Sequence, residues 1–477
     1  MPCFTVCPQC NGLGKIRQKP GKKEKQRYKL ALEKFKTTNE DGTAPSPPKG
    51  SEFFCPDCNG SGLIPSASFP LPDKNFPHLA IIGGGIGGVA LAVACLHRGI
   101  PFTIYERDVS FDARSQGYGL TLQQASKVIK GLGIFSLKQG IKSTKHVVFD
   151  TAGKVIVEWG MRLRKESDAK ASAKRMNVHI PRQALRLELL EQLGGFDKVA
   201  WGHQLTDVRK CDDESIELHF RVNGELKTAK ADLVVGADGI RSCVRSLLIG
   251  EEKTPLRYLG FIVILGICPL EKLKELDHPL LDSSTVFQTV NGNERIYMMP
   301  YSSDTVMWQL SFPLPENEAK ALSALGVHAL KKESCNRTQW HAPITQVVGA
   351  TMESQITGYP VYDRDLIDSE WLVNAGPIML IGDAAHPMSP FKGQGANQAL
   401  LDALALARSI YMECTPQSEW RKSGLRKIIL TDFESEMLER SAIKVKDSAE
   451  AAELLHSESV FREGEGTRGR SLKRSDD

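Results

Sequence analysis

The 477-residue sequence predicts an α/β fold preceded by a small cysteine-bearing module. Three observations predict it: a glycine-rich turn between two short apolar stretches, a later series of alternating apolar and polar runs, and a cysteine pattern that occurs twice near the N-terminus. The hydrophobic, charged and aromatic fractions, 41%, 25% and 7%, are typical of a globular protein and exclude a collagen, a coiled coil or wholesale disorder. A formal net charge of +4 is too small to indicate nucleic acid or a membrane as a partner.

The first part of the parallel sheet is predicted from residues 78–106. An apolar strand over 78–82 leads into a Gly-x-Gly-x-x-Gly turn that opens a helix, and the next strand, 102–105, ends in an acid. Such glycines let the backbone approach a pyrophosphate at the helix N-terminus, and the acid can accept the ribose hydroxyls of an adenosine. This fingerprint predicts a dinucleotide site without separating NAD from FAD, and a glycine turn without a ligand remains open. The predicted cofactor contacts are Gly83, Gly85, Ile86, Gly88, Glu106 and Arg107.

Residues 79–96 contain no charge and are long enough for a transmembrane helix by the crude length test. Five glycines lie between positions 83 and 88, however, and a strand, a turn and a helix explain both the apolarity and its interruption. No transmembrane segment is therefore expected. The first residues also lack the basic start and apolar stretch of a signal peptide, so we expect a cytoplasmic protein.

The pattern Cys-x-x-Cys-x-Gly-x-Gly occurs at residues 7–14 and again at 55–62. Two residues between cysteines let both thiolates face one metal ion, and the glycines permit a turn whose amides can hydrogen-bond the sulfurs. Both copies resemble the zinc-binding repeats of DnaJ-type chaperones, although the resemblance covers only these knuckles. The predicted ligands of a closed tetrahedral zinc site are Cys7, Cys10, Cys55 and Cys58. A folding clip is the main interpretation, and a redox switch or a partner-binding role stays open.

A basic segment separates the two cysteine pairs. Residues 15–36 contain ten Lys or Arg and two Glu, a local charge of +8, so the rest of the chain carries −4. Tyr28, Leu32 and Phe35 are spaced by four and three residues, which predicts a basic amphipathic helix in the second half of the segment. A solvated helix face is the plain interpretation. Nucleic acid is not the expected partner, because the segment contains no recognition motif.

Two further segments narrow the choice of cofactor. Residues 232–245, DLVVGADGIRSCVR, form an apolar strand that ends at Asp238-Gly239, and residues 378–407 begin IMLIGDAAHPMSPFKGQGANQ. They resemble the DG and GD motifs of the flavin-dependent aromatic hydroxylases, and PVYDRD at 360–365 is similar to that family's approach to the GD strand. The chain thus resembles the group A FAD-dependent monooxygenases, with the fold of p-hydroxybenzoate hydroxylase. The stretch GQGANQALLDA is similar to the tetracycline-inactivating branch.

The resemblance implies roles for individual residues. Asp383 would hydrogen-bond the flavin ribityl chain, and the helix starting near Gly395 would present free N–H groups to the N1–C2=O edge of the flavin. Pro390 and Gly395 are the implied catalytic positions, with Phe391 in the ceiling over the reactive flavin carbon. The cofactor contacts implied by the DG and GD motifs are Asp238, Gly239, Gly382, Asp383, Gly393, Gly395, Ala396 and Asn397.

Two arginines and one histidine are less sharply assigned. Arg182 resembles the family's helix-opening arginine that contacts FAD, and Arg114 resembles a mobile-loop arginine on the ribose side. Surface salt bridges are the alternative for both arginines. His386 follows the GD motif, but we expect it to be structural, because the flavin carries the oxygen chemistry and the sequence places no evident acid partner beside it.

The chain is predicted to divide as follows: 1–65, zinc module with its basic helical insert; 66–77, linker; 78–251, first part of the FAD-binding domain; 252–355, antiparallel substrate-binding sheet; 356–412, FAD-binding domain with the GD motif; 413–459, C-terminal helices; 460–477, disordered tail. Within 252–355, four alternating runs and the Asn-Gly-Asn turn at 291–293 predict the sheet. Met298, Met299, Trp308 and Phe312 are candidates for its pocket wall, with an ordinary core role as the alternative.

The predicted function is an FAD-dependent monooxygenase. The resemblance implies that NAD(P)H reduces the flavin, O₂ adds at C4a, and the hydroperoxide hydroxylates or epoxidises an apolar, aromatic or polycyclic small molecule. Polyketides, phenols and terpenoids are candidate substrates, whereas the missing WxWxIP-type signature argues against a halogenase. The alternative is a non-catalytic FAD-binding redox sensor whose zinc module engages a protein or RNA partner.

Overall fold

The computed structural model describes residues 2–38, 45–48, 50–113, 117–123, 125, 127–160, 177–212 and 214–461. Contacts separate the chain into two compact units, Pro2–Leu71 and a larger unit that begins at Pro72. Arg114 and all but the first two residues of the predicted tail lie outside the described residues.

The N-terminal unit consists of two short strand pairs and one helix. Its strands are β1 (Cys3–Val6), β2 (Lys15–Arg17), β3 (Glu52–Phe54) and β4 (Leu63–Ser66), and its helix is α1 (Lys22–Thr38). β1 pairs with β4 and β2 with β3, both antiparallel. In α1 the half-buried positions are Tyr28, Leu32 and Phe35, as the amphipathic pattern predicts. The helix is longer than predicted, because it also includes the lysine-rich first half.

The larger unit contains all remaining elements. Its strands are β5 (Leu79–Ile82), β6 (Phe102–Tyr105), β7 (Gly119–Leu122), β8 (Ile141–Lys142), β9 (Lys145–Phe149), β10 (Val155–Gly160), β11 (Val178–Pro181), β12 (Val199–Ala200), β13 (Gln204–Lys210), β14 (Ile216–Val222), β15 (Glu225–Ala231), β16 (Leu233–Gly236), β17 (Arg257–Pro269), β18 (Thr285–Val290), β19 (Arg295–Ser302), β20 (Thr305–Pro313), β21 (Ile356–Asp363) and β22 (Ile378–Leu380). Its α-helices are α2 (Ile86–Leu96), α3 (Arg182–Leu193), α4 (Cys243–Ile249), α5 (Glu316–Ala324), α6 (Val327–Arg337), α7 (Ile344–Ala350), α8 (Gly395–Glu413), α9 (Trp420–Ser423) and α10 (Thr431–Leu455).

A five-stranded parallel sheet positions the cofactor fingerprint. Its order is β12-β6-β5-β16-β22, with β5 paired to β6 on one side and to β16 on the other. β5 and β16 are fully buried, and α2 contacts β5 and β6 as well as helices α3 and α8. β6 lies on one side of β5 and β16 on the other, so the connections to these strands run in opposite directions across the sheet. A crevice therefore opens at the carboxyl ends of β5 and β16, where ligands of such sheets bind. The predicted strands over 78–82 and 102–105 are confirmed.

A seven-stranded sheet forms the second layer, in the order β10-β9-β18-β19-β20-β17-β21. Four of its strands correspond to the four predicted runs, and the Asn-Gly-Asn segment connects β18 to β19. The sheet extends beyond the predicted range 252–355, because β9 pairs with β18 in parallel and β21 pairs with β17. The sequence does not predict the pairing of β9 with β18, because the two strands lie far apart in the chain.

Alternation along the strands assigns the two faces of this sheet. Met298, Trp308 and Phe312 lie in the core cluster on the face covered by α5, α6 and α7, away from the second face. Met299 belongs to the cluster on that second face, which also contains Phe391. The core interpretation therefore holds for the first three side chains, and only Met299 lies on the side of the predicted flavin ceiling.

The C-terminal helices pack against earlier elements of this unit. The helical period over 420–456 corresponds to α9, a π-helical turn at Arg426–Leu430, and α10. α10 contacts both α8 and the Pro390–Lys392 turn. Among the described helices, none combines the length and the apolar character needed to span a membrane.

Candidate functional site

The glycine turn after β5 has the geometry of a pyrophosphate cradle. Gly83 has a φ of +109°, which favours glycine, and a Cβ on Gly88 would lie 1.9 Å from the carbonyl oxygen of Gly83. Gly85 caps α2 without a side chain, and a Cβ there would meet only Arg182 Nη2 at 3.9 Å. Ile86 is the first helical residue, so the open side of Gly85 faces the α2 N-terminus, where an anion is favoured.

Glu106 holds this turn in place. Its Oε2 accepts a hydrogen bond from Gly84 N at 2.7 Å, and its Oε1 accepts one from Asp108 N at 2.9 Å. The carboxylate thus serves two backbone amides in addition to any ribose contact, a role that sequence spacing did not indicate. Arg107 follows it with an exposed side chain.

Arg182 begins α3 and faces the glycine turn. Its guanidinium lies 5.5 Å from the ring centroid of Tyr118, and both Arg182 and Asp383 act on the pKa of the Tyr118 hydroxyl, which burial raises. Arg182, Tyr118 and Asp383 therefore lie together. Arg186, one turn later, was missed: its Nε donates to Gly84 O at 2.7 Å. Its i, i+4 spacing from Arg182 was the available signal.

Asp238 of the DG motif caps a helix. Its carboxylate accepts hydrogen bonds from Ser242 Oγ and from Cys243 N, the first residue of α4. Burial raises the pKa of Asp238, although these donors oppose the shift. A Cβ on Gly83 would lie 2.5 Å from Ala237 O, so the strand end before Asp238 lies directly against the glycine turn, with Gly239 following.

Arg245 is the main site residue that sequence reasoning did not assign a role. The guanidinium is buried and donates from Nη1 to Ala384 O at 3.0 Å and to Ala385 O at 2.9 Å. Its Nε and Nη2 donate to Thr254 Oγ1. One side chain of the DG segment thereby fixes the backbone of the GD loop, 139 positions later. Its place in the motif was visible, but its acceptors depend on tertiary structure.

Asp383 is accessible but closely surrounded by protein. The side chain is accessible at its surface, yet the surrounding protein raises the pKa of its carboxyl, while the charges of His386 and Arg182 lower it. Tyr359 shows the same combination, with 36% of its surface exposed and a pKa raised by burial. Both groups are thus accessible and closely surrounded by protein, and the pKa values connect each of them with Tyr118. Gly395 adjoins Asp383, because a Cβ there would lie 3.2 Å from Asp383 Oδ1, and Gly382 precedes it.

The N-terminus of α8 is open toward the same region. Among the described residues, the N–H groups of Gly395, Ala396 and Asn397 have no acceptor. The first turn of a helix leaves such groups free, and they can stabilise negative charge. Asn397 uses its side chain differently: Oδ1 accepts from Gln123 N, and Nδ2 donates to Thr121 O and Gly393 O. It ties Thr121 and Gln123 to the helix start.

His386 has an acid partner, contrary to the expectation from sequence. His386 Nε2 lies 2.7 Å from Asp402 Oδ2, which also accepts from Gly382 N, and Arg440 of α10 donates to Asp402 Oδ1 at 2.8 Å. Burial opposes ionisation of Asp402, but His386 and Arg440 hold its pKa below the usual value. Asp402 lies in α8, 16 positions after His386, and no sequence pattern connects the two residues. The structural role expected for His386 fits this pairing, which supports the GD loop.

The four knuckle cysteines form one buried cluster in the N-terminal unit. Cys7 Sγ and Cys55 Sγ are 3.9 Å apart, Cys10 Sγ and Cys58 Sγ are 3.7 Å apart, and all four sulfurs lie within 4.8 Å of one another. The amides of Gly14 and Gly62 each donate to a sulfur at 3.2 Å. Because a tetrahedron with Zn–S bonds of about 2.3 Å has edges of about 3.8 Å, the cluster has the dimensions of a zinc site.

The glycine cradle, the DG strand end and the GD loop around one cleft define a flavin-binding protein of the aromatic-hydroxylase class. The chain belongs to the FAD binding domain family, which matches residues 78–421. It is similar to the aurachin C monooxygenase/isomerase of Stigmatella aurantiaca, with 31% identity over 358 residues, 74% of this chain and 86% of the relative. It is also similar to the 6-hydroxynicotinate 3-monooxygenase of Pseudomonas fluorescens, with 26% identity over 70% of this chain and 82% of the relative.

Solved structures share the fold. Klebsiella pneumoniae HpxO complexed with FAD and uric acid matches 80% of this chain and 90% of its own, at 21% identity and a TM-score of 0.65. Tetracycline destructase Tet(51) matches 80% and 93%, at 18% identity and a TM-score of 0.55. The predicted fold and family are confirmed, and the named relatives support the monooxygenase interpretation over the sensor alternative.

Proposed function

We propose that this protein is an FAD-dependent monooxygenase that inserts one oxygen atom into an aromatic small molecule. The reaction consumes O₂, NAD(P)H, a proton and the substrate, and yields the oxygenated substrate, NAD(P)⁺ and water. The observation that carries the proposal is the accessible carboxylate of Asp383 beside the open N-terminus of α8. The relatives' names indicate monooxygenases of aromatic compounds.

The residues present fit FAD. The bound cofactor would supply the hydride acceptance and the activation of O₂. The chain would hold the pyrophosphate at the α2 N-terminus and the adenosine side beside Glu106 and Arg107, while Asp238 and Gly239 close the other side of the crevice. Asp383 would accept hydrogen bonds from the ribityl chain, and the α8 N–H groups would stabilise negative charge on the ring system.

The substrate side of the cleft must hold an aromatic ring and exclude water. Pro390 and Phe391 lie in a 3₁₀ turn that ends at Gly393, and Phe391 packs in the apolar cluster on the second face of the seven-stranded sheet. The ring of Phe391 packs edge-on against Phe261 of β17, with centroids 6.1 Å apart. This wall brings a flat apolar substrate close to the ring system and keeps solvent out.

Purified holoenzyme is expected to oxidise NADPH or NADH in air faster when an aromatic substrate is present. The readouts are flavin absorbance under anaerobic reduction, O₂ consumption, and a product heavier by one oxygen atom in mass spectrometry. A flavin that stays oxidised with both nucleotides, with no oxygenated product across phenol, quinoline, nicotinate and polyketide panels, would refute the function. Heat-released FAD measured on the same sample separates this result from loss of cofactor.

For the N-terminal unit we propose a structural zinc clip held by the four cysteines. The compact sulfur cluster and its two amide donors support it, since structural zinc sites are closed four-cysteine sites with hydrogen-bonded sulfurs. A reducing compartment suits free thiolates of this kind, and on that ground we propose a cytoplasmic location.

One zinc ion per chain is expected by elemental analysis of the purified protein. Cys55→Ser removes one of four ligands and should reduce the zinc content well below one equivalent and increase proteolysis within residues 2–71. Cys211→Ser, outside the cluster, serves as the control and should retain full zinc. Zinc below a tenth of an equivalent in the wild type, or unchanged content in Cys55→Ser, contradicts the clip.

A further inference from the structure

Helix α1 of the N-terminal unit carries an apolar stripe that lies outside every hydrophobic cluster of the described residues. The stripe consists of Tyr28, Leu32 and Phe35, which are half-buried, while the other described side chains of the helix are exposed. None of the three belongs to a cluster or packs against one in the described part of the chain. Because residues three and four positions apart are neighbours on a helix surface, the stripe runs along one side of α1.

Basic side chains flank this stripe on both sides. Helix α1 contains seven Lys or Arg and two Glu. With successive residues about 100° apart around the helix axis, Lys22, Lys25, Lys29 and Lys36 lie on one side of the stripe, and Lys23, Arg27 and Lys34 lie on the other. Glu24 belongs to the start of the helix, since its carboxylate accepts a hydrogen bond from Gly21 N at 3.0 Å. The helix is thus apolar along one line and cationic on both sides of it.

Most of these cations are not neutralised within the described chain. On β2, Lys15 and Arg17 both pair with Glu52, at 3.2 Å and 2.6 Å. On α1, with Lys34 set aside, no basic residue forms an ion pair with a described carboxylate. The helix therefore keeps a positive charge that an anionic partner would neutralise.

We propose that α1 docks the protein on an anionic lipid bilayer, with the helix lying in the interface and its stripe toward the acyl chains. The stripe would be buried at the boundary between headgroups and acyl chains, while the lysines on both sides extend their apolar stems along it and reach the lipid phosphates and carboxylates. Clusters of about four to eight Lys or Arg on an amphipathic helix are typical of segments that bind anionic lipids. The cytoplasmic leaflet carries such lipids, in agreement with the proposed location.

A bilayer accounts for the stripe and the charges together. The phosphates of a nucleic acid would neutralise the lysines but leave the stripe in water. An acidic protein would need an apolar groove with carboxylates along both rims, whereas an anionic bilayer supplies both environments along the whole helix. Docking of this kind would hold the protein at a surface where apolar compounds concentrate. It goes beyond the proposed monooxygenase function and does not depend on it.

The test measures vesicle binding by the full-length protein loaded with FAD and zinc. Vesicles of phosphatidylcholine alone are compared in flotation with vesicles that contain about a third phosphatidylserine. The protein should bind the phosphatidylserine vesicles about tenfold or more tightly. This preference should shrink when the salt concentration rises from about 0.1 M to about 1 M, because the Debye length then falls from about 10 Å to about 3 Å.

Reversing charge on α1 should weaken the binding. Lys25→Glu combined with Lys29→Glu places two carboxylates beside the stripe and should lower the affinity for phosphatidylserine vesicles about tenfold or more. The matched control combines Lys227→Glu with Lys230→Glu on β15, where both side chains are exposed. It changes the net charge by the same amount and should leave vesicle binding unchanged.

Replacing the stripe tests the apolar half of the proposal. Leu32→Gln combined with Phe35→Gln keeps good helix formers and should weaken vesicle binding several-fold, an effect that a purely electrostatic contact would not show. Leu30→Gln is the control on the same helix, because Leu30 is 60% exposed and lies about 200° around the axis from Tyr28. It should bind vesicles as the wild type does. Zinc and FAD content, measured on every variant, show that both units are intact.

Equal binding to the two kinds of vesicle overturns the proposal, and so does unchanged binding in both double variants of α1. Binding of a single-stranded RNA or of a polyglutamate peptide without binding to either vesicle overturns it as well and assigns the helix to that partner. Flotation requires no turnover, so a failed monooxygenase assay would refute the proposed function and leave the bilayer contact standing.

Discussion

Gly88→Ala is expected to weaken FAD binding and to lower the melting temperature of the larger unit. The new Cβ would lie 1.9 Å from the carbonyl oxygen of Gly83 and 3.2 Å from Ile81 Cγ2, and the first of these is backbone that cannot rotate away. Forcing the turn open should cost about 1–3 kcal/mol of stability, as overpacking does. It should also weaken FAD binding by about tenfold or more, since every 1.4 kcal/mol is a factor of ten. Thermal unfolding and flavin fluorescence titration of the apoprotein measure the two effects.

Two neighbouring glycines provide matched controls. A Cβ on Gly87 would make its nearest contact at 3.4 Å with Ala399 Cβ, so Gly87→Ala should bind FAD nearly as the wild type does. Gly85→Ala meets only Arg182 Nη2 at 3.9 Å in the protein, but its methyl group would occupy the open side of the turn. It should therefore keep the apoprotein's melting temperature and still weaken FAD binding. Full FAD affinity in Gly88→Ala would show that the turn does not form the cradle.

Arg245→Met should destabilise the protein and weaken its hold on FAD. Arg245 supports the backbone that follows the GD motif and is not expected to contact the substrate. The substitution leaves the buried carbonyls of Ala384 and Ala385 without their donor and frees Thr254 Oγ1. A buried acceptor without a partner costs about 1–3 kcal/mol, so a loss of about 2–5 kcal/mol is expected in denaturant unfolding. The same variant should bind FAD more weakly, because Asp383 precedes these carbonyls directly.

Arg241→Met is the control for charge removal in the same segment. Arg241 is exposed, and its guanidinium lies 5.9 Å from the Tyr362 ring centroid. An exposed change of this kind is expected to alter stability by less than about 0.5 kcal/mol. If Arg245→Met retained wild-type stability and FAD content, the link between the DG segment and the GD loop would be unimportant.

Much of the proposed cofactor site could be predicted because its signals are local. Gly83, Gly85, Gly88 and Glu106 are separated by spacings that one strand, one turn and one helix impose, and Asp383 ends an apolar strand in a recognisable motif. The cysteine pairs were also predictable, since the two residues between the thiolates determine how both can reach one ion. The strands β17 to β20 followed from alternation and from the Asn-Gly-Asn turn.

Other residues acquire their roles only from contacts between distant parts of the chain. Arg245 meets Ala384 and Ala385 because β16 and β22 are neighbours in the parallel sheet, and Asp402 meets His386 because α8 returns past the GD loop. Periodicity assigned Met298 and Trp308 to a sheet but not to a face, since either face of an alternating strand can be the covered one.

The sequence by itself thus determined the class of cofactor fold, the glycine cradle, the GD carboxylate and the cysteine cluster, because short spacings and strand or helix periods are properties of the local chain. Only the tertiary structure decided which side chains support the backbone that follows the GD motif. The physical reason is that Arg245 reaches the carbonyls of Ala384 and Ala385 only when β16 and β22 lie side by side in the parallel sheet, and Asp402 reaches His386 only when α8 packs against the loop.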